Sequence, residues 1–184
     1  DEYNVQKLLA KLFDAKHRIS QGEGAPPVGI LSTAFTSSEM DMREGVLETV
    51  LTFLDQDQDQ DQGAGGGDGP YIRLQEPLLG QKCFITFYSK SPQELAKQSS
   101  FVATLLQVQP RPKTRKGEYI VTIEALLKAR PVTLAALREE MQALQAKRAM
   151  HCELRDAALC YEVVATPPSV RALAKQIAGR LNAV

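Results

Sequence analysis

Residues 133–148, TLAALREEMQALQAKR, carry the clearest helical pattern in the chain, and their flanks restrict the fold most. Leu134, Leu137, Met141 and Leu144 recur at helical spacing, Thr133 is placed to cap the start, and strong helix formers fill the rest. Behind this helix, AMHCEL and ALCYEVVA alternate like strands on either side of Arg155-Asp156, which predicts a hairpin. Ahead of it, EYIVTIEALLKA reads as a helix on Ile120, Ile123 and Leu127, ended by Arg130-Pro131. Pro167 and Pro168 open a last amphipathic helix on Val170, Leu173, Ile177 and Leu181.

An earlier stretch repeats this order. TSSEMDMREGVLETVLTFLD predicts a short helix with Ser37 or Ser38 as cap, a turn near Asp41, and a longer helix on Val46, Leu47, Val50, Leu51 and Leu54. A short strand, ILSTAF, precedes it, and YIRLQEPLLGQKCFITFYS follows as two strands joined around residues 77–81, a second predicted hairpin. Ser91-Pro92-x-Glu94 then starts a capped helix through SPQELAKQSSFVATLLQ. Helix, turn, longer helix and two-stranded wing is the order of a winged helix. The reading is therefore α+β and mostly helical, with tandem winged-helix units. Residues 1–29 form an entry helix (residues 2–17) and loop, 30–90 the first unit, 91–110 a linking helix and 111–184 the second unit.

Between the two halves lies DQDQDQDQGAGGGDGP, which offers no apolar side chain large enough to anchor a core, so 55–70 is expected to be a flexible insertion. Its alternating Asp residues lack the turn glycine and closing Glu of a calcium loop. Hydrophobic residues make up 43% of the 184, enough for a core, and no apolar run nears the ~20 residues of a membrane span. The N-terminus has no secretory pattern, and three cysteines without a CxxC do not make a disulfide framework or a four-cysteine zinc site. A reduced intracellular protein, not secreted and with no membrane partner, is the expectation.

Chemistry is sparse. The sequence has no GxxxxGK[ST], GxGxxG, GxSxG or HExxH. His151 and Cys152 are neighbours in a predicted strand and so point to opposite faces, one solvated and one packed. Cys160 sits in an apolar run and is expected in the core. Glu139 and Glu140 follow one another on a helix and diverge, as a solvated face does. No catalytic residue is assigned.

Charge says more. The 22 basic and 22 acidic residues balance overall, but five of the acids lie in the Asp/Gln stretch. From Arg111 onward there are 13 basic residues against 7 acidic. Lys113, Arg115 and Lys116 form a basic linker with Arg111, Arg138, Gln142 and Gln145 lie on the outward side of helix 133–146, and Lys147, Arg148 and Arg155 gather around the following wing. In a winged helix these places face DNA, cations against phosphates and Gln toward base edges. The expected interface is Lys113, Arg115, Lys116, Arg138, Gln142, Lys147, Arg148 and Arg155. A protein-interaction module that ignores DNA is the alternative, because fold does not fix function.

DMREGVLETVLTFLD (41–55) resembles RecQ-like DNA helicases of the Rothmund–Thomson-syndrome type, which carry a similar acidic turn and ETLL helix after their motor. EYNVQKLLAKLF (2–13) is similar to the helix leaving the second motor lobe, GILSTAFTSSEMDM to the entry of the first winged unit, QKCFITFY to the cysteine-bearing hairpin, and 119–165 more loosely to the later winged unit. The resemblance implies a region C-terminal to an ATP- and magnesium-dependent 3′–5′ helicase core, acting in the nucleus in replication and repair. Its implied partners are duplex or forked DNA and the motor in cis. With no motor motifs among its residues, this region is expected to be inactive alone.

One departure from that family stands out. The family's zinc site uses cysteines near the end of the first helix and in the first hairpin, where this chain offers only His17 and Cys83. Two ligands do not close a tetrahedral site, so zinc is expected to be missing.

Overall fold

The computed structural model describes residues 1–56 and 70–183, so the predicted insertion at 55–70 falls almost wholly outside the described residues. In chain order the elements are α1 (Glu2–Leu12), a 3-10 turn (Ala15–His17), β1 (Arg18–Ile19), β2 (Val28–Ser32), α2 (Thr33–Glu39), α3 (Glu44–Asp55), β3 (Ile72–Leu74), β4 (Lys82–Phe87), α4 (Pro92–Leu95), α5 (Ser100–Val108), β5 (Tyr119–Thr122), α6 (Ile123–Ala129), α7 (Leu134–Ala146), β6 (Met150–Arg155), β7 (Ala158–Val163) and α8 (Val170–Asn182). The fold is α+β, 46% helical, with two small antiparallel sheets.

The chain divides into two units, each discontinuous in sequence. The first comprises Asp1–Arg18, Pro27–Pro77 and Ala158–Val184; the second comprises Ile19–Pro26 and Leu78–Ala157. This division cuts across the consecutive segments expected from element order, and strand pairing explains why.

Neither predicted hairpin forms. β3 and β4 follow one another but pair elsewhere, and so do β6 and β7. In the first unit β7 lies between β2 and β3, with Gly29 opposite Tyr161, Leu31 opposite Leu159, and Leu74 opposite Tyr161. In the second unit β4 lies between β5 and β6, with Ile85 opposite both Tyr119 and Cys152. Each unit thus runs helix, strand, helix, helix, strand and takes its central strand from the other half of the chain.

The first unit closes around Val5, Leu8, Leu9 and Leu12 of α1, Leu47, Val50, Leu51 and Leu54 of α3, and Leu173, Ala174 and Ile177 of α8. Spacings of three and four put each set on one helical face. Asp1 caps α1 by accepting from the Tyr3 N–H at 2.9 Å. Tyr161 is fully buried in this core, its hydroxyl donating to the Leu12 carbonyl at 3.0 Å. Its ring fills the space where Gly29 would otherwise carry a Cβ. The end of α3 is stitched to β3: the Tyr71 N–H donates to the Leu54 carbonyl, and Asp55 accepts from the Leu74 N–H.

Four local expectations need correction here and in the second unit; the first is the entry helix, which ends at Leu12 rather than at residue 17 because a 3-10 turn capped by Asp14 follows it. α2 begins at Thr33 with Ser32 as its cap, so Ser37 and Ser38 lie inside it, and Ser37 donates to the Met42 carbonyl. The segment from Ser91 breaks into α4 and α5 because Ser99 caps a fresh start, accepting from the Val102 N–H. Residues 119–122 are strand, not helix; their β-branched Ile120 and Val121 pair with Phe84 and Cys83, and α6 begins only at Ile123. The turn at Asp41, which has φ 48°, and the Thr133 cap of α7 match the sequence reading.

In the second unit α5 packs on α6 and α7, and α7 packs on β6. α7 buries Leu134, Leu137 and Met141 while Glu139, Gln142 and Ala143 stay exposed. One side of that helix is therefore open.

Candidate nucleic-acid interface

All eight predicted contact residues fall in the second unit. Lys113, Arg115 and Lys116 occupy the loop from α5 to β5, all exposed, with no hydrogen bond or ion pair to their side chains. The loop is closed locally. The Lys113 N–H donates to the Glu118 carbonyl at 2.8 Å, the Gly117 N–H donates to the Thr114 carbonyl, and Thr114 Oγ1 accepts from the Glu118 N–H. Gly117 takes φ 80°, a left-handed conformation that glycine adopts without cost. This puts three cations on a short, structured turn that lies within the unit.

Gln142 is exposed on the open side of α7, and Arg138 beside it is half-buried. Glu140, expected on a solvated face, instead grips Arg130 through both carboxylate oxygens, which neutralises two charges at once. Lys147 and Arg148 follow α7 directly and are exposed without side-chain partners. Arg155 ends β6 differently. Its guanidinium forks onto Glu153 at 3.1 Å for each bond and lies 4.4 Å from the centre of the Phe84 ring. It is a positioned cation whose charge is already paired.

The turn after α7 has an unusual backbone. The Ala149 N–H donates to the Leu144 carbonyl and the Arg148 N–H to the Gln145 carbonyl, closing the helix with a left-handed residue. That residue is Arg148, at φ 55°, where glycine is the common choice. Next to it an open depression of about 520 Å³ is lined by Tyr88, Gln145, Arg148, Met150 and His151. His151 is exposed and Cys152 buried, as the strand alternation requires. Tyr88 is missing from the sequence-based set; its only signal is an aromatic residue at the very end of the alternating CFITFY run.

Other reactive groups are quiet. Cys83 and Cys152 are buried neighbours across β4 and β6, and the Cys83 thiol is held well above its usual range, first by its hydrogen bond with Cys152 and then by burial. Cys160 is buried in the first unit. Among the described residues no three His, Cys, Asp or Glu side chains gather as a metal would need, and His17 and Cys83 belong to different units. No described helix is long and apolar enough to cross a membrane.

The structure is thus a small two-unit α+β chain whose second unit carries free cations on one loop and one helix end. The chain is 29% identical, over 177 residues and 96% of its length, to the ATP-dependent DNA helicase Q-like 5 of Arabidopsis thaliana. It spans 17% of that protein's length. The similarity runs over nearly the whole chain and agrees with the RecQ-like helicase resemblance read from the sequence. No protein-family model matches.

Proposed function

We propose that this chain is the DNA-binding accessory region of a RecQ-type 3′–5′ DNA helicase of the Rothmund–Thomson type, gripping duplex or forked DNA while a motor elsewhere in the parent protein pulls. The observation that carries this reading is the similarity of 96% of this chain to a stretch making up 17% of a DNA helicase. The five exposed, unpartnered cations Lys113, Arg115, Lys116, Lys147 and Arg148 supply the surface chemistry. Each unit is read as a winged helix whose third strand comes from the other half of the chain, with α3 and α7 as the second helices of their helix-turn-helix pairs. In that reading α7 offers Gln142 to a groove and the α5–β5 loop lies along phosphates. ATP hydrolysis belongs to the parent motor, the setting is nuclear replication and repair, and this region holds no zinc.

Titration with fork DNA at two salt concentrations tests the reading. Affinity should fall steeply with salt, and replacing Lys113, Arg115 and Lys116 together by Ala should reduce the slope of log affinity against log salt by about 3. Salt-insensitive indifference to DNA would overturn it. Metal analysis of the purified chain tests the zinc statement, with about one zinc per chain as the contrary result.

A second reading has one observation in its favour. Tyr3 and Phe35 in the first unit are 70% and 63% exposed, which suits a protein partner on that unit. These two side chains lie on α1 and α2.

A further inference from the structure

The geometry points to the depression beside the end of α7 as a pocket for one unpaired nucleotide of single-stranded DNA, its base against Tyr88 and its phosphate on Arg148. This inference rests on the DNA-binding reading above and adds to it a site for a base out of the stack. Four features carry it.

Tyr88 is 61% exposed, a large ring left in water at the mouth of the depression and fixed there by its backbone N–H, which donates to the Ala149 carbonyl at 3.2 Å. A nucleobase offers the flat π-face that such a ring stacks on, whatever its sequence. Gln145 is half committed. Its side-chain oxygen accepts from the Cys152 N–H at 3.2 Å, which leaves its amino group without a partner and suited to the acceptors on a base edge. Arg148 brings a guanidinium with no carboxylate on it, held from a left-handed backbone position that an ordinary side chain occupies at a cost. His151, exposed on β6 opposite Thr86, adds a ring and a further donor. No carboxylate lines the depression, and its volume of about 520 Å³ falls in the range of roughly 300–1,000 Å³ usual for small-molecule sites.

These groups supply the chemistry a nucleotide calls for: an aromatic ring, hydrogen-bond donors, and a cation for the attached phosphate. A base paired within a duplex keeps its faces covered by its neighbours, so only an unpaired one fits. The site therefore gives the region a means of telling a fork arm or a single strand from continuous duplex, which the loop cations cannot do.

The test uses the 184-residue chain, an oligothymidine single strand and a blunt duplex, with affinities measured by fluorescence anisotropy. Tyr88→Ala should weaken single-strand binding about 10-fold and leave duplex affinity unchanged, while Tyr88→Phe, which keeps the ring, should bind single strand like the parent. A fluorescent 2-aminopurine in the single strand should change its emission on binding to the parent chain and lose that change with Tyr88→Ala. Equal single-strand affinity of parent and Tyr88→Ala overturns the pocket while leaving the DNA-binding reading in place. Parallel loss of single-strand and duplex binding also overturns it, because that is the mark of a disturbed fold. A parent chain that binds neither DNA sinks both.

Discussion

At the scale of single residues, backbone conformation separates what stabilises this chain from what it uses. Arg148 stands at φ 55°, where an L side chain costs roughly 1–2 kcal/mol relative to right-handed backbone and glycine costs none. Arg148→Gly should therefore raise stability by about 1 kcal/mol, net of glycine's extra unfolded-state entropy, while weakening DNA binding. Urea unfolding of both proteins with parallel DNA titrations checks the pair of effects; a less stable glycine variant contradicts the strain. Tyr161 gives a pH signature. Burial pushes its hydroxyl up to about 12, against an ordinary value of 10.0, and nearby Arg18 offsets this only in part. The folded state thus holds the proton more tightly than the unfolded chain. Its contribution is complete below pH 10 and is lost as pH rises from about 10 toward 12. Tyr161→Phe should be less steeply destabilised across that window, measured as unfolding midpoint against pH; identical slopes would remove Tyr161 from the account.

At the scale of elements, the helices were legible in the sequence and the strand partners were not. α1, α3, α7 and α8 announce themselves through apolar residues three and four apart and through caps such as Thr133, all of which are local signals. The strands also announce themselves by alternation, but a strand's partner is not written beside it. Neighbouring strands usually pair, and that general preference suggested hairpins at residues 77–81 and at Arg155-Asp156. Here the two connections instead meet each other at two tight positions. Asp156 turns through φ 67°, and Gly80 lies so close to the β6 end that a Cβ there would run into the Arg155 backbone. Gln81 then bonds Asp156 twice, its backbone N–H to the carbonyl at 3.0 Å and its side-chain amide to the carboxylate. Both strand connections pass through this contact within the second unit, so Gly80 is the position where a methyl group does most harm. Gly80→Ala should destabilise by about 3 kcal/mol or prevent folding, while Gly45→Ala, where nothing lies within 4 Å, should be neutral or slightly stabilising by its helix propensity. Thermal unfolding of the two variants side by side is the check. The candidate site was half legible for the same reason: Lys113, Arg115, Lys116 and Arg148 are visible as charge in the sequence, whereas Tyr88 joins them only because β4 ends next to the turn after α7.

At the scale of the whole molecule, the exchange of central strands decides how the chain can fold. Cutting after Lys90 would leave residues 1–90 with α1, α3, β2 and β3 but without β7 and α8, which supply Tyr161, Leu173, Ala174 and Ile177 to the core of the first unit. Residues 91–184 would keep α5, α6 and α7 but lack β4, the strand that both β5 and β6 need as a partner. In each fragment a sheet loses its middle strand, leaving two strands with unpaired edges and an apolar face open to water. Neither fragment is therefore expected to fold alone, although each contains a complete run of helix, strand, helix, helix and strand. Mixed in equal amounts from denaturant, the two should recover the circular dichroism spectrum of the intact chain and elute as one complex of matching size. A pair of independently folded, non-associating fragments would show that each half can close its own hairpin, and would return the chain to two consecutive units. The same topology ties function to integrity: the loop cations, Arg148 and Tyr88 all depend on a unit whose central strand is made before residue 90 and whose helices are made after it. Loss of residues 1–90 should abolish DNA binding as completely as loss of the cations themselves.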